Sequence, residues 1–172
     1  MKIARLIVTF DCERNCSYCC NKYKSIVGNR TKIKSLKEVK YYDAVCITGG
    51  EPMLNPYKVY GIIQILKKQN PKVIIYLYSA LWVRDMVDMM AVVNGIHFTL
   101  HANSTAIDIL NFYEFQKEAQ NFPWVSFRLY VHPQIKYGVN VVPKVWKRIE
   151  SKPWIGEESC QLPENETLFE LI

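Results

Sequence analysis

Periodicity along this chain predicts an α/β fold, an open partial (β/α)5-6 barrel with a mostly parallel sheet. Three observations lead there. Short apolar or β-branched runs alternate with stretches whose apolar residues recur at helical spacing, the pattern of right-handed crossovers in a parallel sheet. The length, 172 residues, falls short of the roughly 250 that a closed eight-fold barrel takes. Cysteines and glycines cluster just after the first two predicted strands, where parallel α/β folds bind their ligands.

Taken in order, Ile3 to Thr9 reads as the first strand, and a polar loop carrying cysteines follows. Ser35-Leu36-Lys37-Glu38 has the capping-box form and predicts a short helix. Asp43 to Thr48 is the second strand, and Asn55-Pro56 starts a helix with Val59, Ile62, Ile63 and Leu66 on its apolar stripe. Lys72 to Ser79 is a third strand, nearly all apolar, as suits a strand covered on both faces. Trp82, Met86, Met89, Met90 and Val93 recur at helical spacing and are read as core rather than as a cofactor face. Gly95 to His101 makes the fourth strand. Ala106, Ile109, Leu110 and Tyr113 line the next helix, Val125 to Val131 is the fifth strand, and Val142 to Ile149 reads as a last helix. Beyond Pro153 the pattern fades, and a sixth strand is neither required nor excluded. With no repeat or linker, residues 1–172 form one domain, of which 155–172 is a C-terminal tail or lid.

Composition narrows the class. Apolar residues make up 49% and charged residues 22%, ordinary for a folded chain. The longest apolar run, Val73 to Val83, is too short to span a bilayer and is interrupted by Ser79. With no secretory leader pattern, the expected location is the cytoplasm. The net charge of +6 is uneven. Residues 22–40 hold Lys22, Lys24, Arg30, Lys32, Lys34, Lys37 and Lys40, and residues 157–170 hold Glu157, Glu158, Glu164, Glu166 and Glu170. Two solvated faces drawn together by charge are the simplest reading; a docking face for an acidic electron donor, or an entrance for an anionic substrate, is the sharper one.

Cys12, Cys16 and Cys19 stand at the spacing C-x3-C-x2-C. Crowded cysteines in a cytoplasmic chain favour metal or redox work over disulfide staples. Three thiolates leave one corner of a four-iron cluster open, whereas a structural metal site is closed by a fourth ligand. Cys20 leaves C-x3-C-x3-C as an alternative. Cys46 reads as a small core hydrophobe and Cys160 as isolated, so one cluster is expected. After the second strand, Gly49 and Gly50 let the backbone turn sharply against a ligand, Glu51 offers a carboxylate to a cationic amine, and Pro52 ends the turn. Strand parity sets His97, Thr99 and His101 on one face of the fourth strand, and Ser126, Arg128, Tyr130 and His132 on one face of the fifth. Thr99, His101 and Arg128 are therefore candidate catalytic residues lining the pocket.

The cysteine spacing and the Gly49-Gly50-Glu51-Pro52 run, in that order, resemble the radical S-adenosylmethionine (radical SAM) superfamily. The resemblance implies a radical SAM type of partial barrel and selects Cys19 over Cys20 as third ligand. It implies a 4Fe–4S cluster on Cys12, Cys16 and Cys19, and S-adenosylmethionine held by Gly49 to Pro52. The methionine end of that molecule chelates the open iron, and its reductive cleavage yields a 5′-deoxyadenosyl radical that abstracts a substrate hydrogen. Tyr18 matches the aromatic position near the adenine, and Ser79 ends the third strand where the family often contacts the cofactor. A flavodoxin or ferredoxin-like donor is the implied partner; neither membrane nor nucleic acid is expected. Activating enzymes of glycyl-radical proteins and 7-carboxy-7-deazaguanine synthases are comparable in size, but they carry a glycine-rich segment ahead of the cysteines that this sequence lacks. A minimal member acting on a peptide, nucleotide or other small molecule is at least as well supported. A non-enzymatic zinc or iron–sulfur module is the competing class. The substrate itself is not legible.

Overall fold

A computed structural model describes residues 1–153 and 156–172. Among the described residues, eight parallel strands form one open sheet in the order β2-β8-β1-β3-β4-β5-β6-β7. In chain order they are β1 (Ile3–Thr9), β2 (Thr31–Ile33), β3 (Ala44–Gly49), β4 (Ile74–Ser79), β5 (Gly95–Leu100), β6 (Ser126–Val131), β7 (Arg148–Glu150) and β8 (Glu166–Leu171). The helices are α1 (Lys24–Val27), α2 (Pro56–Gln69), α3 (Met86–Val92) and α4 (Ala106–Ala119). The α/β class and the open sheet agree with the sequence reading. The strand count exceeds the expected five or six because short β2 and C-terminal β8 join the edge beside β1, and short β7 joins the opposite edge beside β6.

Local chemistry starts α2 where expected and caps α4 as well. Asn55 accepts from the Lys58 N–H at 3.0 Å and Pro56 opens the first turn of α2. Thr105 and Asp108 form a reciprocal capping box on α4. Around Ser35 the chain makes only a 3-10 turn, Leu36–Val39, but with the hydroxyl accepting from the Lys37 N–H. The Val59, Ile62, Ile63 and Leu66 stripe is buried against the sheet, and so are Met86, Met89 and Met90.

Two expectations fail here. On α4 the expected stripe holds only in part: Ile109 and Tyr113 pack half-buried against the core, but Leu110 is 62% exposed and the buried face is Phe112, Phe115, Gln116 and Ala119. Phe115 packs on Phe98 with centroids 4.6 Å apart, and Trp146 stacks on both Phe112 and Phe115. The face is thus chosen by aromatic partners distant in sequence. The second failure is the helix expected over Val142–Ile149, which is a 3-10 turn, Pro143–Val145, followed by β7. Buried Gln116 explains it: Oε1 accepts from the Val142 N–H (2.9 Å) and the Trp146 indole (3.0 Å), and Nε2 donates to the Asn140 carbonyl (3.0 Å). Those bonds hold the segment in a non-helical path and deliver Trp146 to the core.

The presumed tail is also structural in part, since β8 lies between β1 and β2. Its lumen-side carboxylates meet bases from the other half of the edge: Glu166 pairs with Arg5, and Glu170 with Arg30 at 2.5 Å. Of these two pairs, Arg30–Glu170 joins the basic run of 22–40 to the acidic run of 157–170. Among the described residues, no helix is long and apolar enough to cross a membrane.

Candidate active site

A cavity of about 500 Å³ opens at the carboxyl ends of the strands. Its wall carries Cys12, Cys16, Cys19, Gly49, Gly50 and Glu51, brought together because β1 and β3 are neighbours in register. Tyr18, Ser79, Thr99 and His101 line it as well. Pro52 is buried in the 3-10 turn Pro52–Leu54 behind the cavity wall. Arg128 lies opposite His97 on β5, a layer below the Thr99–Tyr130 pair. Its guanidinium sits over the Tyr76 ring at 5.5 Å and is not part of the cavity wall.

The glycine turn and the cysteine loop are bonded directly to each other. The Gly50 N–H donates to the Thr9 carbonyl and the Glu51 N–H to the Asp11 carbonyl, both at 2.7 Å, while Asn21 Nδ2 donates to the Gly49 carbonyl at 2.8 Å. This approach leaves no room for side chains. A Cβ on Gly49, whose φ is +133°, would fall 2.2 Å from the Thr9 oxygen, and one on Gly50 2.1 Å from the Asp11 oxygen.

Glu51 is buried, and both oxygens of its carboxylate are bonded to the protein. Oε1 accepts from Ser79 Oγ at 2.7 Å and from the Met53 N–H at 3.0 Å, and Oε2 from the Ala80 N–H at 2.8 Å. Burial pushes its pKa up, and the bonds from Ser79, Ala80 and Met53 pull part of the way back. Glu51 therefore clamps the end of β3 to the end of β4, and Ser79 serves that clamp.

Arg14, which sequence patterning did not single out, ties the cysteine loop to the far wall. Its guanidinium pairs with Asp108 at 2.5 Å and reaches the Ala80 carbonyl at 3.4 Å. Burial alone would raise the Asp108 pKa, but hydrogen bonds from Thr105 and Arg14 outweigh it and hold the carboxyl below its ordinary value. A lone charged residue between two cysteines carries no sequence signal of its own; only the fold shows its partner. Arg5 was missed for the same reason, because its partner Glu166 comes from the C-terminal strand.

Tyr18 stacks on two imidazoles, with ring centroids 5.7 Å from His132 and 5.9 Å from His101. Its hydroxyl accepts from the Ala102 N–H at 3.1 Å and lies 3.2 Å from His101 Nδ1, to which it can donate. Burial, with Arg14 and His132 nearby, lowers the His101 pKa to about 4, so the ring is neutral at physiological pH. His97, deeper on the same strand face, is lowered to about 4 by burial and by Arg128, Arg5 and Arg148, against the pull of Glu150.

Cys12 is exposed, Cys16 buried and Cys19 partly exposed, and all three are free. The Cys16 thiol faces Asn103 Oδ1 at 3.8 Å, and burial pushes its pKa up. Such a donor set, three free thiols on one loop that faces a cavity, suits a cluster with one corner left for an outside ligand. Among the described residues no three His, Cys, Asp or Glu side chains converge closely enough to enclose a single metal ion. Cys46 is buried in β3, as expected, and burial raises its thiol to about 11. The reading of Cys160 as isolated and of Cys20 as a spectator or alternate ligand is corrected: the two form a disulfide across 140 residues of sequence.

A family model described as the Radical SAM superfamily matches residues 6–130, from β1 to the end of the β6 lumen face. No curated protein matches the chain.

Proposed function

Because the chain belongs to the radical SAM superfamily, we propose that it is a radical SAM enzyme whose 4Fe–4S cluster is held by Cys12, Cys16 and Cys19 and whose substrate enters the same cavity. The observation that carries this reading is the direct bonding of Gly50 and Glu51 to Thr9 and Asp11, which joins the S-adenosylmethionine turn to the chain entering the cysteine loop. When bound, the cluster supplies the electron that splits a carbon–sulfur bond of S-adenosylmethionine, giving the radical that abstracts hydrogen.

The chain's own residues supply position and environment. Cys12, Cys16 and Cys19 are the ligands. The Gly49–Gly50 turn, whose missing Cβ atoms let it close on the Thr9 and Asp11 backbone, would receive the methionine end of the cofactor, and Glu51 acts by holding that turn against β4. Tyr18 and neutral His101 form the wall for the adenine side, and Thr99 with His97 faces the substrate from β5. Arg128, outside the wall, positions Tyr76 rather than touching substrate. Exposed Lys22, which donates to Asn15 of the cysteine loop at 2.7 Å, and exposed Lys24 just after it favour an acidic flavodoxin or ferredoxin-like donor.

Anaerobic reconstitution tests the reading. The protein should take up about four irons, turn brown and release 5′-deoxyadenosine from S-adenosylmethionine under reduction. A colourless, zinc-loaded protein that leaves S-adenosylmethionine intact overturns it. Reduction by an acidic donor should slow steeply with added salt.

A further inference from the structure

Cys20 sits next to the third proposed ligand, and C-x3-C-x3-C is as readable in the loop as C-x3-C-x2-C. A free Cys20 thiol would therefore compete for iron. Tethered one residue from a ligand, it would act at an effective concentration of roughly millimolar or more, enough to rival a diffusing cofactor. In the structure it is not free, because it is bonded to Cys160.

The surroundings of that bond are built to keep it there. Cys20 opens a 3-10 turn, Cys20–Lys22, in which successive side chains diverge by about 120°. The turn is closed by the Lys22 N–H on the Cys19 carbonyl (3.0 Å) and the Tyr23 N–H on the Cys20 carbonyl (3.2 Å). Opposite lies a second 3-10 turn, Gly156–Cys160, with Cys160 buried and Glu157 accepting from Ser25 Oγ. Downstream, β8 anchors this segment in the sheet between β1 and β2. Cys160 is thus presented by a fixed element.

We propose that Cys160 is a positioning residue which, by holding Cys20 in a disulfide, limits the cysteine loop to three thiols and reserves the fourth iron corner for S-adenosylmethionine. This rests on the enzyme reading above. Opening the bond would consume a dithiol reductant, whose two sulfurs join as Cys20 and Cys160 each gain a hydrogen; a fourth thiol would then stand beside Cys19.

The experiment compares wild type, C160A and C20A/C160A, each reconstituted anaerobically and checked for folding by circular dichroism. Differential alkylation with mass spectrometry reads the state of Cys20 and Cys160 in the holoprotein. Electron paramagnetic resonance of the reduced cluster, titrated with S-adenosylmethionine, reads access to the open iron. Wild type should protect both cysteines from alkylation and show a cofactor-dependent spectral change. C160A should keep about four irons but need at least tenfold more S-adenosylmethionine for that change. C20A/C160A should recover wild-type affinity although it too lacks the disulfide. C160A behaving like a responsive wild type overturns the guard role alone, and so does a double variant as impaired as C160A, which would make the bond a strap for the C-terminal segment. A wild type that binds no cluster overturns the enzyme reading and the guard together.

Discussion

Replacing Glu51 with Gln tests the clamp between β3 and β4 with a change of one atom. The carboxylate accepts three hydrogen bonds in a buried setting, from Met53 N–H, Ser79 Oγ and Ala80 N–H. A glutamine oxygen at Oε1 keeps the first two, and its amide nitrogen then faces the Ala80 N–H, donor against donor. Leaving that buried N–H unsatisfied costs about 1–3 kcal/mol, and the remaining bonds lose their charge assistance. Relief of the desolvation that raises the Glu51 pKa works in the opposite direction. The net expectation is a loss of about 2 kcal/mol at pH 7. For a chain of this size that lowers Tm by roughly 4–8 °C. Thermal unfolding of the cluster-free protein followed by circular dichroism measures it. The pH dependence adds a second arm. Because the folded pKa lies above the unfolded one, the native state binds more protons between them, so this group favours folding below its ordinary value and that contribution is lost as pH rises through the folded pKa. E51Q should therefore lose more relative to wild type in mild acid than at pH 7. An unchanged or raised Tm with the same pH profile would refute the clamp.

Alanine at Cys12, Cys16 or Cys19 should abolish cluster assembly, read as iron per chain, whereas C46A should retain it; a full complement without Cys16 defeats the ligand assignment. R14M and D108N should each destabilise the protein by about 1–3 kcal/mol, and a double-mutant cycle should show strong coupling, because both side chains are mostly buried in one ion pair; additive losses would deny the tie. His97, held at about 4 when folded against an unfolded value near 6.5, should contribute stability at neutral pH that is lost as pH falls from about 6.5 to 4. H97Q should flatten urea midpoints across that window, and an unchanged slope would count against burial as the cause.

Strand parity made the lumen legible in advance, since alternation on β5 and β6 separates His97, Thr99 and Tyr130 from Phe98, Phe127 and Leu129. Parity does not report which way a long side chain turns. Arg128 shares the face and the row of cavity-lining His97, but its guanidinium turns over the Tyr76 ring instead of into the cavity. The α4 stripe failed for another reason: apolar residues run from Ala106 to Phe115 with little amphipathic contrast, and Trp146 decides which of them turn inward.

Local pattern was sufficient for the parallel α/β class, the cap of α2, and the two motifs at neighbouring strand ends, because each depends on residues within a few positions of one another. Decisions that join distant segments came only with the folded chain: β8 beside β1, Arg14 on Asp108, Glu51 clamped to Ser79 and Ala80, and Cys20 bonded to Cys160. A charge or thiol has many eligible partners along a chain, and proximity in three dimensions is what selects one.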